Sequence, residues 1–286
     1  MFADNESLRT ALARNVRDAL MEDIGRGDWT ARLVPAGRRV QAAVTAKEPA
    51  VICGRPWFDG CMHAVDAATR VDWAVGEGDR VAAGTVVCRL EGDARALLSA
   101  ERPSLNFVQT LSSVASVTRQ YVDAIAGASP HQRGCAILDT RKTLPGLRQA
   151  QKYAVRVGGG RNQRLALWHG ILIKENHIAA AGGVAAALRA AQALNAGVEI
   201  QIEVENLDEL RQALDAGAAS VLIDDFSRDD MRRAVALNAG RALLEVSGGV
   251  DLASVREIAA TGVDRISIGK LTKDVRAIDL SMRVLG

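Results

Sequence analysis

Aromatic side chains make up only 3% of this 286-residue chain, and its charge nearly balances at +2. Nucleic-acid binders of the general kind combine a basic surface with rings on which bases stack, and this composition supplies neither. The four cysteines, Cys53, Cys61, Cys88 and Cys135, contain no Cys-x-x-Cys pair, which removes the usual sign of a zinc site or a disulfide framework. No apolar run approaches the roughly 18 residues that a membrane-spanning helix needs. The opening MFADNESLRTALARN is too polar for a secretory signal. The expectation is a cytoplasmic protein that contacts neither membrane nor nucleic acid. What is abundant is Ala, Val, Leu and Ile within a 48% hydrophobic fraction, a palette suited to helices packed on parallel strands. The length allows one large domain or two smaller ones.

Charge is distributed unevenly. Between Thr140 and Lys174 there are eight cations, Arg141, Lys142, Arg148, Lys152, Arg156, Arg161, Arg164 and Lys174, and no acid. Such a window creates a strong local positive field whose natural partner is a compact polyanion. Most charge runs are solvated faces. These cations instead flank short apolar strands and a Gly-Gly-Gly turn, where side chains can be aimed inward.

In chain order, residues 6–22 carry apolar positions at helical spacing, and EDIGRGDWT breaks the helix. Partial alternation over 39–52 predicts strands, and 55–68 a second helix. GDRVAAGTVV is similar to the hairpin of biotinyl and lipoyl carrier domains but lacks their modifiable lysine, so it reads as scaffolding. A long helix is expected to begin at Ser99, with Pro103 in its first turn and Arg102 near its N-terminus. A cation there opposes the helix dipole, which a bound anion would relieve.

From residue 136 a strand-then-helix rhythm sets in. Strands are expected at 136–140, 170–174, 198–205, 220–225, 242–249 and 264–269. Parallel strands joined by right-handed helical crossovers follow, and closure into a barrel fits better than an open sheet, because no G-x-G-x-x-G follows any strand. Each strand reads as apolar until its last residues, which are Asp139 with Arg141 and Lys142, Lys174, Glu203 with Glu205, Asp224 with Asp225, Glu245 with Ser247-Gly248-Gly249, and Gly269-Lys270. In α/β barrels the site is built at the C-terminal ends of the strands. Charges gathered there form cationic and acidic sides of one site, and the SGG turn offers backbone N–H groups to phosphate.

In this order, EDIGRGDWT, AKEPAVICG, SAERPSLN, TRKTLPGLR, the triglycine with Arg164, ILIKENH, IEVEN, LEVSGG and IGKLTK resemble the quinolinate phosphoribosyltransferase family over nearly the whole chain. The resemblance implies an N-terminal α/β sandwich over 1–112, to which 272–286 return, and an open, incomplete α/β barrel of about seven strands over 113–271. It implies quinolinate and phosphoribosyl pyrophosphate as substrates, Mg²⁺ as cofactor, and a homodimer or hexamer in which Arg102 reaches the neighbouring site. Carried over, Arg102, Arg141, Lys142, Gln163, Arg164 and Lys174 would bind quinolinate. Lys142, Lys174, Glu203 and Asp224 would be catalytic, with Glu203 and Asp224 serving the metal through substrate or water. Ser247, Gly248, Gly249, Gly269 and Lys273 would hold phosphate.

Three places depart from the family pattern. Gln163 stands where histidine is usual, so the position donates a hydrogen bond but cannot titrate. Asp225 replaces the common asparagine, and the loop Lys270-Leu271-Thr272-Lys273-Asp274 differs from the more usual alanine and histidine versions. Two other readings compete: a barrel phosphoribosyltransferase for another pyridine acid such as nicotinate, and a non-catalytic sensor that kept the pocket. A dicarboxylate calls for more than one arginine, and a sensor would have lost Glu203, Asp224 or Lys174.

Overall fold

The structure, a computed structural model, describes residues 5–285. The first four positions of the opening segment and the last residue of the returning segment lie outside the described residues. The elements in chain order are α1 (Leu8–Asp23), β1 (Arg39–Ala46), β2 (Ala50–Val51), α2 (Arg55–Val65), β3 (Arg70–Trp73), β4 (Arg80–Val81), β5 (Val86–Asp93) and α3 (Ala94–Ala124). There follow β6 (Ala136–Leu138), α4 (Arg148–Val157), β7 (Gly170–Ile173), α5 (Glu175–Ala181), α6 (Val184–Ala193), β8 (Glu199–Val204) and α7 (Leu207–Asp215). The chain ends with β9 (Ser220–Asp224), α8 (Arg228–Asn238), β10 (Leu243–Ser247), α9 (Val255–Ala259), β11 (Arg265–Ser267), α10 (Lys270–Lys273) and β12 (Leu280–Leu285). Among the described residues no helix is long and apolar enough to cross a membrane.

Two compact units result. The first takes residues up to Arg119, the segment Thr143–Gly159 and everything from Leu271 onward. Its antiparallel sheet has the order β12-β1-β5-β3, so the last strand of the chain pairs with the first. Ala42, Val44, Leu90, Leu97, Phe58 and Met62 are buried in its core. Strands β4 and β5 form no hairpin, contrary to expectation: β4 pairs with β2, while β5 lies between β1 and β3.

The long helix also starts earlier than its sequence predicts. Asp93 accepts hydrogen bonds from the backbone N–H groups of Arg95 and Ala96 at 2.9 and 3.2 Å, satisfying donors that a helix start leaves open. With α3 beginning at Ala94, Pro103 lies in its interior. Its ring deprives the Ser99 carbonyl of a helical partner. Arg102 is therefore an exposed mid-helix residue, and the argument from the helix dipole falls away.

The second unit comprises Gln120–Lys142 and Gly160–Lys270. Its parallel sheet has the order β6-β11-β10-β9-β8-β7. Helices between successive strands provide the crossovers, and their starts are capped in the usual way: Asn206 accepts from Glu209 N–H ahead of α7, and Ser227 from Asp230 N–H ahead of α8. Beside β6, a single parallel bridge joins Leu138 to Arg161, the beginning of a seventh strand position. From there to β8 is five strand spacings, about 24 Å in a flat sheet. Yet Gln163 Nε2 donates to Gln201 Oε1 across 2.9 Å. Only a sheet curled nearly into a cylinder brings these two together.

Strand alternation decides which residues face inward. On one face lie Ile200, Ile202, Val204, Val221, Ile223, Leu244, Val246 and Ile266, packed under the helices. On the concave face lie Gln201, Glu203, Ser220, Asp224, Glu245, Ser247, Arg265 and Ser267. The expectation of strands apolar to their last residues is thus wrong in one respect. Glu245 is not a strand-end charge but a fully buried mid-strand residue inside the barrel, with Gln201 and Ser220 beside it.

Candidate active site

The chain after β6 turns sharply. Asp139, fully buried, accepts from Asn162 Nδ2 at 2.6 Å and from the Gln163 N–H at 3.0 Å. This carboxylate ties the segment after the triglycine to the end of β6, and so places Gln163 and Arg164. Within the first unit, the first glycine of that run is required by close approach: a Cβ on Gly158 would meet the Ala115 carbonyl oxygen at 2.5 Å. Thr140 Oγ1 accepts from the Lys142 N–H at 3.0 Å, and the Lys142 side chain passes so close to Gly269 that a Cβ there would stand 3.1 Å from its Cδ. Arg164 donates to the Gly170 carbonyl at 3.0 Å. Burial lowers its pKa, and the nearby positive charge of Arg141 lowers it further.

On the acidic side, Lys174 follows β7 and Glu203 lies near the end of β8. Lys174 Nζ stands 3.0 Å from one oxygen of Glu203 and 2.9 Å from the other. Asp224 closes β9, and the next residue, Asp225, sits at φ +55°, a left-handed conformation that asparagine and aspartate tolerate better than most. Gly248, at φ +93°, faces both: a Cβ would lie 3.1 Å from an oxygen of Asp224 and equally close to one of Asp225. Ser247 ends β10, and Gly249 follows at φ +55°. The Ser-Gly-Gly turn therefore abuts the two carboxylates at the strand ends.

The structure brings together Arg141 with Arg164, Lys142 with Gly269, Lys174 with Glu203, and Asp224 with Gly248. Gln163 and Arg164 line a cavity of about 490 Å³ whose wall includes Gln201. Gly170, Glu199 and Arg265, the first residues of β7, β8 and β11, also line it, so this hollow extends toward the strand starts. Arg102 and Lys273 belong to the first unit, where Lys273 pairs with Asp274 at 3.2 Å. Gln201 went unnoticed in the sequence, although the I-Q-I-E-V alternation across residues 200–204 was the available signal.

Sulfur nucleophiles are absent from the chemistry on offer. Burial pushes the thiols of Cys61, Cys88 and Cys135 up to about 12 and that of Cys53 higher than its ordinary range. Among the described residues no group of three or more His, Cys, Asp or Glu is placed to hold a metal ion by itself.

A curled parallel sheet with cations and carboxylates facing each other at its strand ends defines an α/β-barrel enzyme for small anionic substrates. Comparison with known proteins narrows the class. Residues 28–112 match the N-terminal domain of quinolinate phosphoribosyl transferase, and residues 114–283 match its C-terminal domain. The chain belongs to the quinolinate phosphoribosyl transferase family. A nicotinate-nucleotide pyrophosphorylase (carboxylating) of Mycobacterium leprae is 40% identical over 277 residues, covering 93% of this chain and 95% of that one. A probable enzyme of the same name from Bacillus subtilis is 38% identical over 265 residues, covering 92% and 90%. The solved nicotinate-nucleotide pyrophosphorylase of Francisella tularensis superposes with a TM-score of 0.91 at 41% identity, covering 98% of each chain.

Proposed function

We infer that this protein is a carboxylating nicotinate-nucleotide pyrophosphorylase of NAD biosynthesis. It transfers the phosphoribosyl group of phosphoribosyl pyrophosphate to the ring nitrogen of quinolinate, giving nicotinate mononucleotide, pyrophosphate and carbon dioxide. The observation that carries this reading is a set of charges on one barrel: Arg164 with the positive charge of Arg141 near it, and the Lys174–Glu203 pair at the ends of β7 and β8. Two guanidiniums held close repel one another, and a ligand with two carboxylates relieves that repulsion while accepting bidentate hydrogen bonds. A monocarboxylate such as nicotinate satisfies only one.

Both substrates are anions and would repel each other without a cationic pocket. Arg141, Arg164 and Lys142 gather and orient them, which supplies much of the rate by proximity. As pyrophosphate departs, positive charge grows at the ribose C1, where Glu203 and Asp224 stabilise it electrostatically. Lys174 holds Glu203 in place and adds a donor for anionic substrate. The Ser247-Gly248-Gly249 turn and Gly269 leave room for phosphate to approach the backbone. Once the ring nitrogen is bonded to C1 it is a pyridinium, which accepts the electrons left by loss of the adjacent carboxylate. No protein nucleophile enters.

A magnesium ion fits this donor set. Mg²⁺ favours one or two carboxylates, water and substrate phosphates over an all-protein cage, and Glu203 and Asp224 provide two carboxylates without a third. They would hold it through substrate or water, and the ion would neutralise the leaving pyrophosphate. We also assign Arg102 to the neighbouring subunit's site in a homodimer or a hexamer. Its exposure on α3, with Glu101 3.8 Å away as an ion-pair partner, leaves it accessible for that role. Exposed Trp29 and Leu33 on the same unit suit a subunit interface. Four unpaired cysteines suit the reducing cytoplasm.

The test is an assay of pyrophosphate and mononucleotide formation with quinolinate and, separately, with nicotinate. Quinolinate is expected to be used and nicotinate not, with turnover lost in EDTA. Equal use of nicotinate would overturn the dicarboxylate assignment.

A further inference from the structure

We propose that Gln201 is a positioning residue for substrate-carboxylate recognition, fixing the direction of the Gln163 amide from inside the barrel. This rests on the reading above that Gln163 faces the pyridine dicarboxylate. Three strands meet at Gln201: its Nε2 donates to Glu245 Oε2 at 3.0 Å on β10 and to Ser220 Oγ at 3.2 Å on β9, while its Oε1 accepts from Gln163 at 2.9 Å.

The direction of this line is determined. An amide has one donating end and one accepting end. Glu245 Oε2 and Ser220 Oγ lie on one side of the Gln201 amide, where its nitrogen can donate to both, so its oxygen faces Gln163. Gln163 must then donate. Gln201, Glu245 and Ser220 are all at most 3% exposed, so water cannot replace a lost partner. The backbone of Gln163 is already held through Asp139, which leaves the side-chain direction as the variable. A rotated Gln163 would set its carbonyl oxygen against the Gln201 oxygen, acceptor against acceptor, and take its N–H groups away from the side where they now donate. Gln201 prevents that rotation from the wall of the same cavity that Gln163 lines.

The expected signature is a change in dicarboxylate affinity that spares both the phosphoribosyl side and the chemical step. Steady-state kinetics and calorimetric quinolinate binding are measured for the parent protein, Gln201→Met, Gln163→Ala and the double variant, with folding checked by circular dichroism. Gln201→Met is expected to raise the quinolinate KM and Kd about tenfold, leaving the KM for phosphoribosyl pyrophosphate unchanged and kcat within about threefold. Gln163→Ala should do the same, and the double variant should be no worse than the poorer single, because the two act as one unit. Gln201→Glu combined with Glu245→Gln exchanges the two groups, so that an acceptor still faces Gln163 and a donor still faces a buried carboxyl, and it should recover most of the affinity. If Gln201→Met does not fold, Gln201→Asn, which withdraws the amide by one methylene, is read in its place with the same expectation. Unchanged quinolinate KM and Kd, additive losses, or an equal rise in both KM values would overturn the proposal. A parent protein that neither binds nor turns over quinolinate overturns the functional reading and this inference together. A parent that does both, with Gln201 variants unchanged, overturns the inference alone.

Discussion

Lys174 and Glu203, at the ends of neighbouring parallel strands, are joined by contacts of 3.0 and 2.9 Å from one Nζ to both carboxylate oxygens. The glutamate is nearly buried while the lysine is about half exposed, so the carboxylate depends on its partner more than the reverse. Lys174→Met should lower kcat/KM on the order of a hundredfold or more, the usual consequence of stranding one charge of a close pair. Glu203→Gln should lower kcat with less effect on substrate binding. Equal, small effects from both variants would show that the pair is only a surface ion bridge.

Arg141 and Arg164 should each prove necessary for the dicarboxylate. Arg141→Ala and Arg164→Ala are expected to raise the quinolinate KM by roughly 2–4 kcal/mol in free-energy terms, the range for losing a buried charged hydrogen-bond partner. The KM for phosphoribosyl pyrophosphate should move much less in Arg164→Ala. Parent-like quinolinate kinetics in both variants would place the carboxylate pocket elsewhere.

The Arg102 assignment is tested by mixing. Arg102→Ala and Lys174→Ala proteins should each be inactive, and after subunit exchange their equal mixture should regain about one active site in four by random pairing within dimers. Arg141→Ala mixed with Lys174→Ala is the control, and it should not recover. No recovery in the first mixture, with exchange confirmed by mass, would remove Arg102 from the neighbouring site.

Glu245 should leave a mark on stability. Burial raises its pKa, opposed by hydrogen bonds from Gln201 and Ser267 and by the charge of Arg265, with Glu199 adding to the rise. The folded chain thus keeps this proton to higher pH than the unfolded chain, whose glutamates titrate near pH ~4.3. The contribution to stability is complete below that value and is lost as pH rises through the folded value. In urea unfolding between pH 4 and pH 8, the stability of the parent minus that of Glu245→Gln should fall as pH rises. A flat or rising difference would show that Glu245 is ionised at no cost in the fold.

Much of the barrel could be read from the chain because its strands are short, apolar on alternate positions and separated by capped helices. All six expected strands formed within a few residues of their predicted limits, and Lys174, Glu203, Asp224 and Ser247 fell at or near strand ends. The polar interior was harder to see. Gln201 passed as one residue of an expected strand and Glu245 as a strand end, and only the curl of the sheet reveals that they meet. The start of α3 was missed for a local reason: Asp93 ends a strand and caps a helix at once, with no loop between them to mark the boundary. Arg102 shows the other limit: its place on an exposed face of α3 was not visible in the sequence, because the helix begins at Ala94 rather than at Ser99.

Decarboxylative transfer to quinolinate has a fixed stoichiometry, which can be counted. Quinolinate labelled in the carboxylate next to the ring nitrogen is incubated with phosphoribosyl pyrophosphate and Mg²⁺, and labelled carbon dioxide and pyrophosphate are counted together. They should appear at the same rate in a ratio of about one to one, with none of either when phosphoribosyl pyrophosphate is omitted. Pyrophosphate released without labelled carbon dioxide would contradict it.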